Sequence, residues 1–261
     1  MSRKKFSILR PQEQADLSAV ELYKTFELYI NQGGRFFFGN AHISPFFNEL
    51  DALLPNLEKR IEAGEKYYRA RLVEELAWKY STGDANYEVY SESELGAPPA
   101  DKTKEGRVNP QGVPYLYLAD TRKCALAEVR PYISSMTVIG TGPLTKDIIV
   151  ASFVSPPWTE LSLLQIGLVK VVGQLFSLPL NNQNSICYLP TQVIAEYLKN
   201  MGFDGIEYSS SQFKSGANLA LFDVNIWKAT SSTAFIVSNI EYSAEREFNV
   251  FRYLFHPNEE L

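Results

Sequence analysis

Arginine, glutamate, tyrosine, asparagine and serine recur in this sequence where strands end and turns begin. They are Arg69 in KYYRARL, Arg107 and Asn109 in GRVNP, Tyr117 in PYLYLAD, Glu128 in ALAEVRP, and the run Ser209-Ser210-Ser211 after DGIEY. A lone carboxylate among arginines and hydroxyls is a poor kit for acid–base chemistry at neutral pH. It suits the holding of a phosphorylated sugar, because a guanidinium fork grips phosphate oxygens through two parallel hydrogen bonds. A carboxylate beside a sugar C1 stabilises an oxocarbenium-like cation while accepting a hydrogen bond from the ribose hydroxyl. Taken singly, each residue also has an ordinary role open to it: a surface ion pair for Arg69, a solvated helix position for Glu128, a polar turn for the serines.

Other chemistries lack their parts. The sequence contains no GxxxxGK phosphate loop, no GxGxxG, no GxSxG elbow and no HExxH. Its two histidines, His42 and His256, stand towards opposite ends of the chain, so a nucleophile–histidine pair would rest on one of them. His42 precedes a helix cap and fits local structure; His256 is expected at the surface. Cys124 and Cys187 have no CxxC spacing and fit packing positions, so neither disulfide nor metal is implied. With 25 basic against 30 acidic residues the net charge is −5, which argues against direct nucleic-acid binding. No apolar run approaches the roughly 20 residues that span a bilayer, and MSRKKFSILRPQEQ has no apolar signal core. The expected protein is cytoplasmic, with no membrane partner.

The elements that must position these residues follow from periodicity. Leu17, Val20, Tyr23, Phe26 and Ile30 recur at helical spacing from Pro11 to Ile30. A second helix is expected from the Ser44-Pro45 cap through Ile61 to Gly64, kinked or split at Pro55. At Lys66 the period becomes that of a strand, which sets Arg69 and Arg71 on one face. Residues 81–114 are rich in Gly, Pro and polar types, the pattern of a lid or a disordered loop. A strand over Tyr115–Ala119 leads through Asp120 or Thr121 into a helix that carries Glu128 and ends before Pro131. Strands follow at Met136–Ile139 and Ile148–Val154, then helices at Leu161–Leu178 and Pro190–Met201. Gly205–Tyr208, Leu219–Val224, Phe235–Tyr242 and Phe248–Phe255 have strand character. The class is α+β, as an N-terminal helical extension (1–64) and a second domain (65–261) with a β-rich tail.

The segments YYRARL, GRVNPQGVPYLYLADTRKCALAEVRP and FDGIEYSSSQFKSGANLALF resemble, in order, the core of the RES domain, over Tyr67 to Val224. The turn reads GRVN where an aromatic often follows the arginine, and the N-terminal helices and the tail after Trp227 are additional. The resemblance implies an ADP-ribosyltransferase-like fold of mixed sheets with flanking helices. It implies a toxin of a toxin–antitoxin pair that takes NAD+ as substrate, cleaving the nicotinamide–ribose bond by hydrolysis or phosphorolysis without a metal. Transfer of ADP-ribose to a protein is the alternative, and a non-enzymatic nucleotide-binding module the second. The implied partners are NAD+ and an antitoxin with a helix-turn-helix domain, with a homodimer left open. Carried over residue by residue, Arg69 is the family arginine, with Arg71 two residues on as the fallback. Glu128 is the family glutamate, and Ser210 or its neighbour Ser211 the serine. Tyr117 would line the nicotinamide side, with Arg107 and Asn109 on its turn.

Overall fold

The computed structural model describes residues 10–32, 44–73, 90–177 and 188–241. His42, Cys187, His256, residues 81–89 of the expected lid and the strand expected at Phe248–Phe255 lie outside them. Two compact units share the described residues: 10–32, 44–56 and 155–172 form one, and 57–73, 90–154, 173–177 and 188–241 the other.

In the first unit, α1 (Pro11–Asn31) and α2 (Ser44–Leu57) pack through aromatic rings: Phe26 stacks on Phe46 at 4.4 Å between centroids, and Phe47 meets Phe26 edge-on. The first ten residues of α4 (Leu163–Ser177) belong to this unit, where Lys170 reaches Asp16 of α1 at 3.5 Å. The helix expected to continue to Gly64 stops at Leu57. Pro55 offers no N–H to the turn before it, and the backbone from Glu58 finds partners elsewhere, as strand β1 (Glu58–Ile61) antiparallel to β5 (Ile148–Ser152).

The second unit is built on one eight-stranded sheet, ordered β1-β5-β6-β7-β3-β2-β4-β8. Its other strands are β2 (Lys66–Leu72), β3 (Leu116–Ala119), β4 (Met136–Pro143), β6 (Gly205–Ser209), β7 (Ala217–Leu221) and β8 (Ser231–Ile236). Only β5 and β6 run parallel among these pairs, so the sheet is mixed and the class is α+β, as expected. Tyr67, Leu116, Leu118, Val150, Leu219, Leu221 and Trp227 bury one face. Helices α3 (Arg122–Glu128) and α5 (Leu189–Asn200) complete the unit. Gly202, at φ +96°, terminates α5 in the left-handed region that favours glycine.

Strand bounds shift: β4 runs on past Ile139 to Pro143, and β5 stops at Ser152, short of Val154. β8 begins at Ser231, because Ser231–Thr233 pair with Ile139–Thr141 despite their polar character, and β7 ends at Leu221, where Asp223 caps a short 3₁₀ turn. The described part of the expected lid is anchored: Leu95 is fully buried against Val73, Met136 and Val138, and Thr103, Val108 and Asn109 are buried too. A few well-placed anchors hold a stretch whose mean composition is that of a free loop.

Candidate active site

β2 and β3 are joined by a single registered pair, Tyr68↔Ala119, whereas β2 pairs with β4, and β3 with β7, along their full lengths. Where β2 and β3 part, a cavity of about 160 Å³ is lined by Tyr68, Arg69 and Ala70 from one strand and Tyr117, Leu118 and Ala119 from the other. Neighbouring residues of a strand point to opposite faces. Both faces line one cavity here because the ladder between the strands is interrupted.

Helix α3 brings the carboxylate. Thr121 is its N-cap, its Oγ1 accepting the Cys124 N–H at 3.2 Å, and Pro131 lies just beyond its end. Ala125, Glu128 and Val129, spaced three and four apart, all line the cavity. Glu128 Oε1 accepts two hydrogen bonds at 2.6 Å, from Ser210 Oγ and from Asn218 Nδ2. Both donors fall on the same oxygen. The buried Glu207 is a contrast, because Lys59 takes one of its oxygens at 2.7 Å and Ser152 the other at 2.6 Å. Glu207 is a satisfied structural ion linking β1, β5 and β6, whereas Glu128 keeps an oxygen for something else.

Arg69 supplies the cation. Its Nη1 is buried with no hydrogen-bond partner among the described residues, an arrangement that costs free energy unless a ligand completes it. Burial pushes the guanidinium down to about 10, and the neighbouring Arg71 adds to the effect. Arg71 itself is engaged: Nη2 donates to Gly96 O at 2.9 Å and the guanidinium lies 5.7 Å from the Tyr90 ring centroid. Of the two arginines on this face, Arg69 is the one that lines the cavity.

Tyr117 is held from behind. Its hydroxyl donates to Asn109 Oδ1 at 2.7 Å and accepts the Val108 N–H at 3.3 Å. Burial pushes its phenol up to about 12 and raises that of Tyr208 as well, so both rings are neutral near pH 7. Asn109 spends its amide on Lys104 O and Pro110 O, and Gln192 of α5 donates to Gly106 O and Asn109 O. A Cβ on Gly106 would stand 2.7 Å from Asn109 Oδ1 and 2.9 Å from the Tyr117 hydroxyl, so the GR turn requires glycine for this close approach. Arg107 turns to the last residues of α4, donating to Phe176 O at 2.7 Å and Ser177 O at 2.8 Å.

The structure therefore brings Arg69, Tyr117 and Glu128 to one cavity, with Ser210 bonded to the carboxylate. Asn109 stands behind Tyr117 as its scaffold, Arg107 is spent on the end of α4, and neither is among the lining residues. Ser210 Oγ also accepts the N–H groups of Gln212 and Phe213, which fixes the turn. Ser211 is exposed and bonds to the neighbouring Gln212 side chain. Asn218, Tyr68 and Tyr208 line the cavity without having been anticipated. Asn218 had one signal, a lone polar side chain within the apolar strand ANLALF.

These features define a class: an α+β protein whose mixed sheet parts to leave a cavity lined by a buried arginine and a tethered carboxylate. The chain belongs to the RES domain family, whose profile matches residues 79–244. Arg69 precedes the matched residues; Tyr117, Glu128, Ser210 and Asn218 lie within them. Among solved structures, the crystal structure of the M. tuberculosis MbcT-MbcA toxin-antitoxin complex is similar over 72% of this chain and 91% of that chain, at 13% identity and a TM-score of 0.40. No curated protein matches the sequence.

Proposed function

We propose that this chain is a toxin that cleaves the nicotinamide–ribose bond of NAD+, with water or phosphate as acceptor. The observation that carries the reading is the pairing of opposites across one cavity: Arg69 with a buried, unsatisfied Nη1, and Glu128 with both its donors on one oxygen. An anionic, hydroxyl-bearing substrate completes both. About 160 Å³ suits one six-membered ring, since an apolar cavity of about 150 Å³ accommodates benzene. The nicotinamide ring would enter beside Tyr117, the ribose would meet Glu128 and the pyrophosphate Arg69 at the cavity, and the adenosine end would stay outside.

In this scheme Arg69 holds the pyrophosphate through its fork. Glu128 accepts the ribose hydroxyl and faces the positive charge that develops at C1′. The C1′–N bond breaks with its electron pair going to nicotinamide, which neutralises the pyridinium. Water, or a phosphate oxygen, then adds to C1′; with water, one proton leaves to solvent. The departing group is already activated by its charge, so positioning and charge stabilisation carry the rate without a histidine base. An antitoxin partner would restrain the enzyme.

The test incubates purified protein with NAD+, with and without phosphate and with cell lysate, and resolves the products by chromatography. Nicotinamide with ADP-ribose or its 1″-phosphate is the expected outcome, and label retained on protein would make the chain a transferase instead. Intact NAD+ would overturn the reading. In a bacterium making the chain, NAD+ should fall before growth stops.

A further inference from the structure

We propose that Asn218 is the positioning residue of the Glu128 carboxylate, an inference that deepens the NAD+-cleaving reading and rests on it for its kinetic consequence. Glu128 is the last residue of a seven-residue helix, and the chain leaves the helical region two residues later, at Arg130 with φ 46°. A side chain at such an end is weakly constrained by its own element. It is constrained from across the site, by Ser210 just after the end of β6 and Asn218 within β7.

The two donors are not equivalent. Ser210 presents a hydroxyl that rotates about its own bond and is shared with the Gln212 and Phe213 amides. Asn218 presents a planar amide from the centre of the sheet, its backbone registered with Ala119 of β3 on one side and Tyr208 of β6 on the other. The side chain is buried, and the Cys124 thiol lies 3.7 Å from Oδ1 as a weak donor. The thiol shares its weak S–H between Asn218 Oδ1 and Ala217 O, at 3.7 and 3.9 Å, and the orientation of the amide is fixed by the carboxylate, which as an ion only accepts. The Nδ2 end therefore faces Glu128 Oε1, and Oε2 is thereby presented to the substrate. Gly216 allows the arrangement, because a Cβ there would lie 2.6 Å from the Cys124 sulfur. Thiol, amide and carboxylate form one chain of donors and acceptors from the interior to the cavity.

Asn218 acts through Glu128, so its removal should lower the rate of the chemical step and leave substrate affinity alone. The experiment measures nicotinamide release by Asn218→Ala and Asn218→Thr, each in the native and the Glu128→Gln background, with folding checked by circular dichroism. Asn218→Thr keeps the volume without adding a charge beside Glu128, and so serves if the alanine variant unfolds. A displaced catalytic group costs on the order of 10²-fold, and we expect kcat to fall about 10- to 100-fold with KM within about 3-fold. In the Glu128→Gln background the same substitutions should change kcat less than about 3-fold. Equal losses in both backgrounds, an unchanged kcat in a folded variant, or a raised KM with native kcat would each overturn the inference. The hydrogen bond itself is read without substrate: one side-chain amide proton of Asn218 should be protected from exchange by NMR and lose that protection in Glu128→Ala. Absence of protection refutes the positioning of Glu128. Protection in a protein that releases no nicotinamide supports the positioning and sinks only the NAD+ reading.

Discussion

Replacing Arg69 by methionine should stabilise the fold while abolishing ligand binding. The guanidinium is held at about 10 instead of 12.5, mainly by burial and further by Arg71, and its Nη1 has no partner among the described residues. At 1.36 kcal/mol per tenfold change, that depression corresponds to about 3 kcal/mol of unfavourable free energy in the folded, charged state. Methionine fills the space of the arginine stem without a charge, and allowing for relaxation around the site we expect a gain of about 1–3 kcal/mol. For a unit of this size each kcal/mol raises Tm by about 2–4 °C. The sign with pH is fixed. A lowered folded-state value means that the unfolded chain holds this proton more tightly, so the penalty is constant from pH 5 to 9 and shrinks only as pH rises through about 10. The difference between variant and native protein in thermal and urea unfolding should be flat over pH 5–9 and narrow above that. Pyrophosphate should raise the Tm of the native protein and leave the variant unchanged, because the anion supplies the missing partner. A variant less stable than the native protein at pH 7 would refute the reasoning, since Arg69 would then be compensated within the fold.

Glu128→Gln keeps a carbonyl oxygen for the two donors and removes the charge, so kcat for nicotinamide release should fall by about 10²–10³, or roughly 3–4 kcal/mol, with KM little changed. Steady-state kinetics at pH 7 decide it, and a native rate would make Glu128 a bystander. Gly106→Ala places a methyl group 2.7 Å from Asn109 Oδ1 and 2.9 Å from the Tyr117 hydroxyl, so it should cost about 1–3 kcal/mol in urea unfolding and raise KM. Cys124, buried and pushed up to about 12, should resist iodoacetamide at pH 8 in the native protein and react once unfolded, as peptide mass spectrometry reports.

Much of the scaffold was legible because its signals are local. The periodicity of Pro11–Ile30, the capping residues Asp120 and Thr121 and the alternation in KYYRARL each imply one element, and each element is there. Ile61 illustrates the limit: it continues the helical spacing of α2, yet pairing with Ile148 makes it a strand residue, and that partner lies far along the chain. Leu95 is similar, since one leucine among polar residues gives no hint that Val73, Met136 and Val138 await it. At the cavity, Arg69, Tyr117 and Glu128 are among the residues that the resemblance to the RES domain singled out, but so were Arg107 and Asn109, which do not line it. Division of labour did not show, because Arg107 and Asn109 differ from cavity residues only in which way they turn. Asn218 matters through a partner ninety positions away, and no local pattern encodes such a pairing.

The strand order has a consequence for how the protein is made. β7 sits between β6 and β3 at the heart of the sheet, yet it is the seventh of the described strands to be synthesised, and its partner β3 waits from Leu116 until Leu221 for its register. Pairings this distant in sequence close slowly. Ser210 and Asn218, which tether the Glu128 carboxylate, emerge in the same late stretch of chain. A nascent chain on the ribosome would thus carry Arg69, Tyr117 and Glu128 long before they are assembled, and its cavity would close only once β7 has emerged. Premature termination anywhere before residue 217 yields a fragment without the central strand.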